Sequence, residues 1–289
     1  MFKIKKYIPD IVVAIILIAG IGLLAYPTIG DYINALHSSK AIGSYVEKTK
    51  DLSKEEKENL LREAREYNES LVGKVNRYYL NEEEKKRYAH ILDITKTGIM
   101  AYVEIPKLNI YMPVYHGTDE GVLQIAAGHL PGSSLPVGGE NTHSLISGHR
   151  GLPSAKLFTD IDKLKKGDLF FIHVFDEVLA YKVNQIKIVL PDDVETLEIE
   201  KGKDYVTLIT CTPYGVNSHR LLVRGERIPY KEAKKKDNSD KKGSNMWKAY
   251  ALAAVLAVVL IILLWYYYHI RRKRRRKKAR KKRVRRNEK

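Results

Sequence analysis

The chain has one cysteine, Cys211, at the end of the run Tyr205-Val-Thr-Leu-Ile-Thr-Cys211. The β-branched content of that run reads as a strand. Thr212-Pro213-Tyr214-Gly215 then turns the chain, and Arg220 opens the next apolar run, RLLVRGERI. A strand end and the start of its antiparallel successor are neighbours in space, so thiol and guanidinium can face one site. A third group, His149, ends Thr142-His-Ser-Leu-Ile-Ser-Gly-His149, where another apolar run gives way to a loop with Gly148, Gly151 and Pro153. Together the three types suit nucleophilic acyl transfer. A thiolate attacks a carbonyl, and a nearby cation favours the thiolate. An imidazole protonates the leaving amine and later deprotonates the incoming nucleophile. A guanidinium hydrogen-bonds the oxyanion of the tetrahedral intermediate. Spacing alone does not separate such a trio from an incidental one.

The elements that must position these groups follow from the pattern. From Gly98 onward, short apolar runs are broken by Gly, Pro and Asp, with candidate strands at 100–105, 110–115, 143–148, 168–174, 179–190, 205–211 and 220–228. Seven or more short strands, with only one or two helical turns near 155–165, argue for a mainly β domain, a barrel or sandwich. Upstream, residues 31–72 read as helix. Ser53-Lys-Glu-Glu56 fits a capping box, and Leu60, Leu61, Ala64, Tyr67 and Leu71 follow at helical spacing. Residues 73–97 are polar and weakly patterned, a loop with at most a helical turn. There is no internal repeat.

The remaining candidates carry simpler readings. His116, His129 and His143 fall in the β region without a short His-x-x-x-His pairing, which speaks against a metal site. His219 reads as a solvated loop residue and Arg150 as a surface or salt-bridge residue. Thr207 and Thr210 read as strand residues, with Thr210, beside the thiol, the candidate to line an acyl pocket.

Composition narrows the class. With 289 residues, 44% hydrophobic and 29% charged, the chain has ample length for a core and is neither disordered nor collagen-like. One cysteine forbids an internal disulfide and a cysteine-rich zinc module. The net charge of +17 suggests nucleic acid or an anionic membrane. Its distribution excludes the first: residues 270–289 carry +14, residues 231–248 carry +4, and residues 1–230 carry −1. The body of the protein has no basic excess. Between the basic stretches lie twenty uncharged residues, Ala249 to Tyr268, with Trp247, Trp265 and Tyr266–Tyr268 near the ends of the run. At about 1.5 Å per residue they match the roughly 30 Å bilayer core. A second apolar run, Ile11 to Tyr26, follows three N-terminal lysines. It is at or beyond the upper length of a signal-peptide core and reads as an uncleaved anchor. Lysine and arginine flank both runs on the same side, which predicts two spans, both termini cytoplasmic and residues 31–246 outside. The expected organisation is an anchor at 1–30, a helical extension with a lid region at 31–97, a β domain at 98–230, a lysine-rich tether at 231–246, a span at 247–269 and a basic tail at 270–289.

The motifs also carry a resemblance. Thr207-Leu-Ile-Thr-Cys211 and Ile146-Ser-Gly-His149-Arg150 resemble the two catalytic motifs of the sortases. The longer stretches SGHRGLPSAKLFTDIDKL, DYVTLITCTPYGVNSHRLLVRGERIPY and GHLPGSSLPVGGENTHSLISGHR look like class C, the pilin-polymerising sortases, as do Glu104-Ile-Pro and Pro113-Val-Tyr-His-Gly117. The likeness runs from about Gly98 to Tyr230, and the two-span layout with a basic tail fits the same class. The resemblance implies an eight-stranded β-barrel, with Cys211 as nucleophile, His149 as general acid/base and Arg220 as oxyanion stabiliser. It implies a thioacyl intermediate with an LPXTG-type sorting signal of a pilin or surface protein, resolved by a pilin lysine amine, with no metal or organic cofactor. One departure stands out. Class C enzymes usually carry a lid whose Asp-Pro-aromatic motif plugs the cysteine, but residues 72–97 hold only Asp93, followed by Ile94. Tyr78 and Tyr79 are the aromatic pair left to cover the site, so either the lid is unconventional or the site is open.

Overall fold

The computed structural model describes residues 8–152 and 154–235, and the described residues up to Ala233 form one compact unit. Its centre is a closed barrel of eight strands: β1 (Ile99–Ile105), β2 (Ile110–His116), β3 (Ala127–His129), β4 (Thr142–Ser147), β5 (Leu169–Val174), β6 (Glu177–Val189), β7 (Asp204–Thr212) and β8 (His219–Ile228). The order around the barrel is β1-β2-β3-β4-β7-β8-β6-β5. Seven strands lie where the apolar runs place them. The eighth, β3, is three residues long and carries no alternation of its own. It is held by parallel pairing to β2 and antiparallel pairing to β4.

The barrel interior is filled by the alternate residues that face inward. Val103, Val114, Ile146, Phe170, Ile172, Tyr181, Val206, Leu208, Leu221 and Val223 belong to one buried cluster. The intervening residues of β4, β7 and β8 face outward, and there Leu145, Ile209 and Leu222 join Val189 and Leu197 in a second, separate cluster. An apolar patch on the outer wall is thus built into the strand period.

Helices pack outside the barrel: α1 (Ile8–Asp51), α2 (Lys54–Leu71), α3 (Glu82–His90) and the short α4 (Glu120–Leu123). The single helix expected over 31–72 is two. The Ser53–Glu56 capping box is present and starts α2, which ends α1 at Asp51. The loop expected over 73–97 contains α3, opened by a second capping box in which Asn81 and Glu84 exchange hydrogen bonds. Its weak apolar pattern reflects one buried residue, Tyr88. Three buried polar contacts dock the helices. The Tyr45 hydroxyl of α1 donates to Met100 O (3.1 Å) and accepts from Phe175 N–H (3.0 Å). The Asn68 amide of α2 pairs with both backbone groups of Leu135. The Tyr88 hydroxyl of α3 meets His129 Nδ1 and the His129 carbonyl, each at 2.9 Å.

At the far end the chain turns helical again at Tyr230, and Ala233 is buried among Leu169, Phe171 and Ala180. The first residues of the expected 231–246 tether therefore belong to the folded unit, because a small apolar side chain finds a seat on the outer face of β5 and β6. Among the described residues no helix is long and apolar enough to cross a membrane. The run 11–26 forms the N-terminal part of α1, where most side chains between residues 8 and 21 lie outside the described ones. The expected span at 247–269 and the tail at 270–289 lie outside the described residues altogether.

Candidate active site

The three residues proposed from sequence stand in one row across β4, β7 and β8. Cys211 and Arg220 are direct antiparallel partners, which puts their side chains on the same face, with Cβ atoms about 5 Å apart. β4 runs parallel to β7 in an unbroken register from Thr142↔Asp204 to Ser147↔Ile209. Continued by two residues, that register sets His149 abreast of Cys211. Two bonds carry it past the end of β4: Gly148 N–H donates to Ile209 O (3.0 Å), and the Thr210 hydroxyl donates to Gly148 O (2.7 Å). Gly148 is needed here, since a Cβ on it would lie 2.7 Å from the Phe158 ring.

Cys211 shares its face with Ile209 and Thr207, on the outer wall, and is partly exposed. The trio therefore lies at one end of the outer apolar patch formed by Leu145, Val189, Leu197, Ile209 and Leu222. Arg220 Nη1 donates to Asn217 O and His219 O, both at 3.2 Å, which fixes the guanidinium at the root of its own turn. His149 is three-quarters buried, with Nε2 3.5 Å from the exposed Glu120 carboxylate of α4. Glu120 is held below the usual carboxylate range by a hydrogen bond from Gln124 and by the His149 ring.

Thr210 does not line the acyl pocket. It is 1% exposed and faces away from Cys211, because successive residues of a strand point to opposite sides. Its hydroxyl is spent on the Gly148 carbonyl, so it links the strand of Cys211 to the loop of His149.

The lid region does pack over the outer wall. Tyr78 lies against the apolar patch, while Tyr79 is 84% exposed, so of the two aromatic candidates only Tyr78 covers the patch. Arg77 secures it, a residue the sequence reading passed over. Only 4% exposed, Arg77 donates from Nη2 to the Tyr78 hydroxyl (2.8 Å) and Leu197 O (2.7 Å), and pairs through Nη1 with Glu198 (3.2 Å). Burial pushes the Tyr78 phenol above its ordinary pKa. The segment runs so close to Gly132 that a Cβ there would sit 2.1 Å from Arg77 O. Asp93 takes no part, and instead accepts Thr97 N–H and Gly98 N–H within its own turn.

His129 and His143 are structural. His129 is fully buried, with Nδ1 at Tyr88 Oη and Nε2 at Ser134 O, and burial drives its pKa to about 3. His143 bridges Glu198 O (2.9 Å) and the Thr207 hydroxyl (2.7 Å), and burial lowers it to about 4. Among the described residues no group of three or more His, Cys, Asp or Glu is placed to hold a metal ion.

An eight-stranded barrel with Cys, His and Arg aligned across three neighbouring strands defines a cysteine-nucleophile site of one recognisable class. The chain belongs to the sortase family. Residues 103–228 match the sortase-domain family model. Sortase C1 from Streptococcus agalactiae is 50% identical, with a TM-score of 0.64 over 66% of this chain and 98% of that one. Streptococcus pneumoniae sortase C is 48% identical, with a TM-score of 0.60 over 66% and 97%. The class C likeness read from the motifs thus holds. Bacillus anthracis sortase A is 30% identical over 49% of this chain and 65% of its own length. The chain spans 52% to 65% of the length of the first curated relatives it matches.

Proposed function

We propose that this protein is a membrane-anchored cysteine transpeptidase that cleaves LPXTG-type sorting signals and joins pilin subunits through isopeptide bonds. The observation that carries the reading is the row His149–Cys211–Arg220, set by the registers of β4, β7 and β8, in a chain about as similar to sortase C structures as 50% identity implies. Cys211 Sγ attacks the threonine carbonyl of the signal, and Arg220 hydrogen-bonds the resulting oxyanion. The Thr–Gly bond breaks as His149 gives a proton to the glycine amine, leaving a thioester on Cys211. A lysine amine of a second pilin then attacks. His149 takes its proton, the C–N bond forms, the C–S bond breaks and the thiol returns. No step calls for a metal. The outer patch of Leu145, Val189, Leu197, Ile209 and Leu222 suits the apolar residues of the signal.

Membrane anchoring rests on the two apolar runs and their flanking lysines and arginines, which favour cytoplasmic termini and an extracellular barrel. The neutral body of the protein gives nucleic acid nothing to bind.

Incubating the protein with a sorting-signal peptide and a lysine-bearing pilin tests the reading. The expected result is a thioester on Cys211, captured by hydroxylamine, and a ladder of linked pilins, both absent in Cys211→Ala. A thioester resolved only by a peptidoglycan-precursor amine would replace pilin joining with wall attachment. No thioester, and equal behaviour of Cys211→Ala, would leave only a non-catalytic binding barrel.

A further inference from the structure

β4 ends at Ser147, two residues before His149, so backbone pairing alone does not hold the imidazole beside Cys211. Side-chain bonds take over. On the rung before the catalytic pair, Thr210 bonds Gly148. On the rung after it, Arg150 Nη1 donates to the Thr212 hydroxyl at 3.2 Å. Both contacts join residues 62 apart, the same offset that runs through the β4–β7 register and relates His149 to Cys211. The catalytic rung is thus bracketed by two bonds in register with it.

We propose that Arg150 is a positioning residue that locks His149 abreast of Cys211, a role that rests on the transpeptidase reading above. Its guanidinium is built in. The side chain is 10% exposed, Nη2 pairs with Asp162 of the 3₁₀ turn Ile161–Lys163, and the group lies 5.9 Å from the Tyr214 ring centroid in the β7–β8 turn. One side chain therefore ties the histidine loop to the end of the cysteine strand, to the turn before Arg220 and to the 3₁₀ turn. Two further contacts hold the described part of the loop: His149 O accepts Phe158 N–H (3.1 Å), and a Cβ on Gly151 would lie 3.2 Å from the Tyr214 ring. Thr212 follows Cys211 on β7, so it faces away from the thiol. Arg150 acts from behind the catalytic row, where it meets no peptide in the outer groove. Its loss should lower turnover and spare substrate binding. Lysine is no substitute, because a single ammonium cannot span hydroxyl, carboxylate and ring as a planar guanidinium does.

The test is steady-state cleavage of a sorting-signal peptide by the full-length protein. Arg150→Met should lower kcat about 10- to 100-fold, the scale of a roughly 1 Å misplacement, with KM within about twofold. Thr212→Val should lower kcat about 3- to 10-fold, again without a change in KM, and the double variant should be no slower than Arg150→Met alone, because both remove one bond. Asp162→Asn, which keeps the Thr212 contact, should lose less than Arg150→Met. Wild-type kcat in Arg150→Met, a loss carried by KM, or multiplying effects in the double variant would overturn the proposal. If Arg150→Met does not fold, Thr212→Val decides alone: a selective fall in kcat supports the role and wild-type kinetics defeats it. Wild type and Cys211→Ala run alongside. A wild type that cleaves no peptide would defeat the transpeptidase reading itself, whereas an active wild type matched by Arg150→Met defeats only the role of Arg150.

Discussion

Truncating Tyr78 to alanine should open the substrate groove while barely changing the reactivity of the thiol. The ring is partly buried against the cluster of Leu145, Val189, Leu197, Ile209 and Leu222, whose Ile209 lies two residues from Cys211 on the same face of β7. A tyrosine buries about 150–250 Å² when fully covered, so half-burial removes about 100 Å² from water. At roughly 25 cal/mol per Å² this is about 2–2.5 kcal/mol of closed-state stability. Each 1.4 kcal/mol is a factor of ten, so the open fraction of the lid should rise about 30- to 60-fold. The apparent Kd for peptide is the intrinsic Kd divided by the fraction of competent protein, so kcat/KM for a sorting-signal peptide should rise by up to the same factor. Cys211 is already partly exposed, so alkylation by iodoacetamide should accelerate less than about threefold. Gly132→Ala supplies an independent check. Its Cβ would collide with Arg77 O, and its φ of +81° already disfavours a side chain, so the lid should be displaced without touching the groove. Unchanged peptide kinetics in Tyr78→Ala, or alkylation that accelerates as much as turnover, would refute the assignment of Tyr78 as the groove cover.

Three further outcomes are expected. Thr210→Val leaves the Gly148 carbonyl without its bond and should lower kcat about 5- to 30-fold, the equivalent of about 1–2 kcal/mol, as read by peptide cleavage. Tyr45→Phe removes the hydroxyl shared by Met100 O and Phe175 N–H and should cost about 1–3 kcal/mol in a denaturant melt without altering kcat. His129 and His143 have folded pKa values of about 3 and about 4, below the ordinary value near 6.5. The unfolded chain therefore binds more protons in that interval, and stability is complete above about pH 6.5 and falls as the pH drops, by up to about 1.4 kcal/mol per unit for each histidine. Thermal melts should show His143→Gln losing less Tm between pH 7 and 5 than the parent, and an equal loss would exclude His143 as a source.

Much of this architecture was legible in the chain. The short apolar runs broken by Gly, Pro and Asp placed seven of eight strands within about two residues, because each strand must bury apolar side chains and each turn needs a breaker. The capping box at Ser53 was visible for a local reason, two hydrogen bonds within four residues, but the break it makes between α1 and α2 was not. β3 was hidden, since three residues pinned between β2 and β4 need no pattern of their own. α3 was hidden because a single buried residue, Tyr88, leaves no stripe.

The candidate site divides in the same way. Residue types and the strand ends that carry them were enough to nominate Cys211, His149 and Arg220, and the pairing of Cys211 with Arg220 follows from a tight antiparallel connection. The alignment of His149 with them does not, because the parallel pairing of β4 with β7 joins residues 62 apart that share no turn. Which way Thr210 faces, which of Tyr78 and Tyr79 turns inward, and the burial of Arg77 and Arg150 were likewise settled by packing. A strand's period says that its neighbours alternate, but only the closed barrel decides which face meets the core, which face the lid covers and what lies on the next strand.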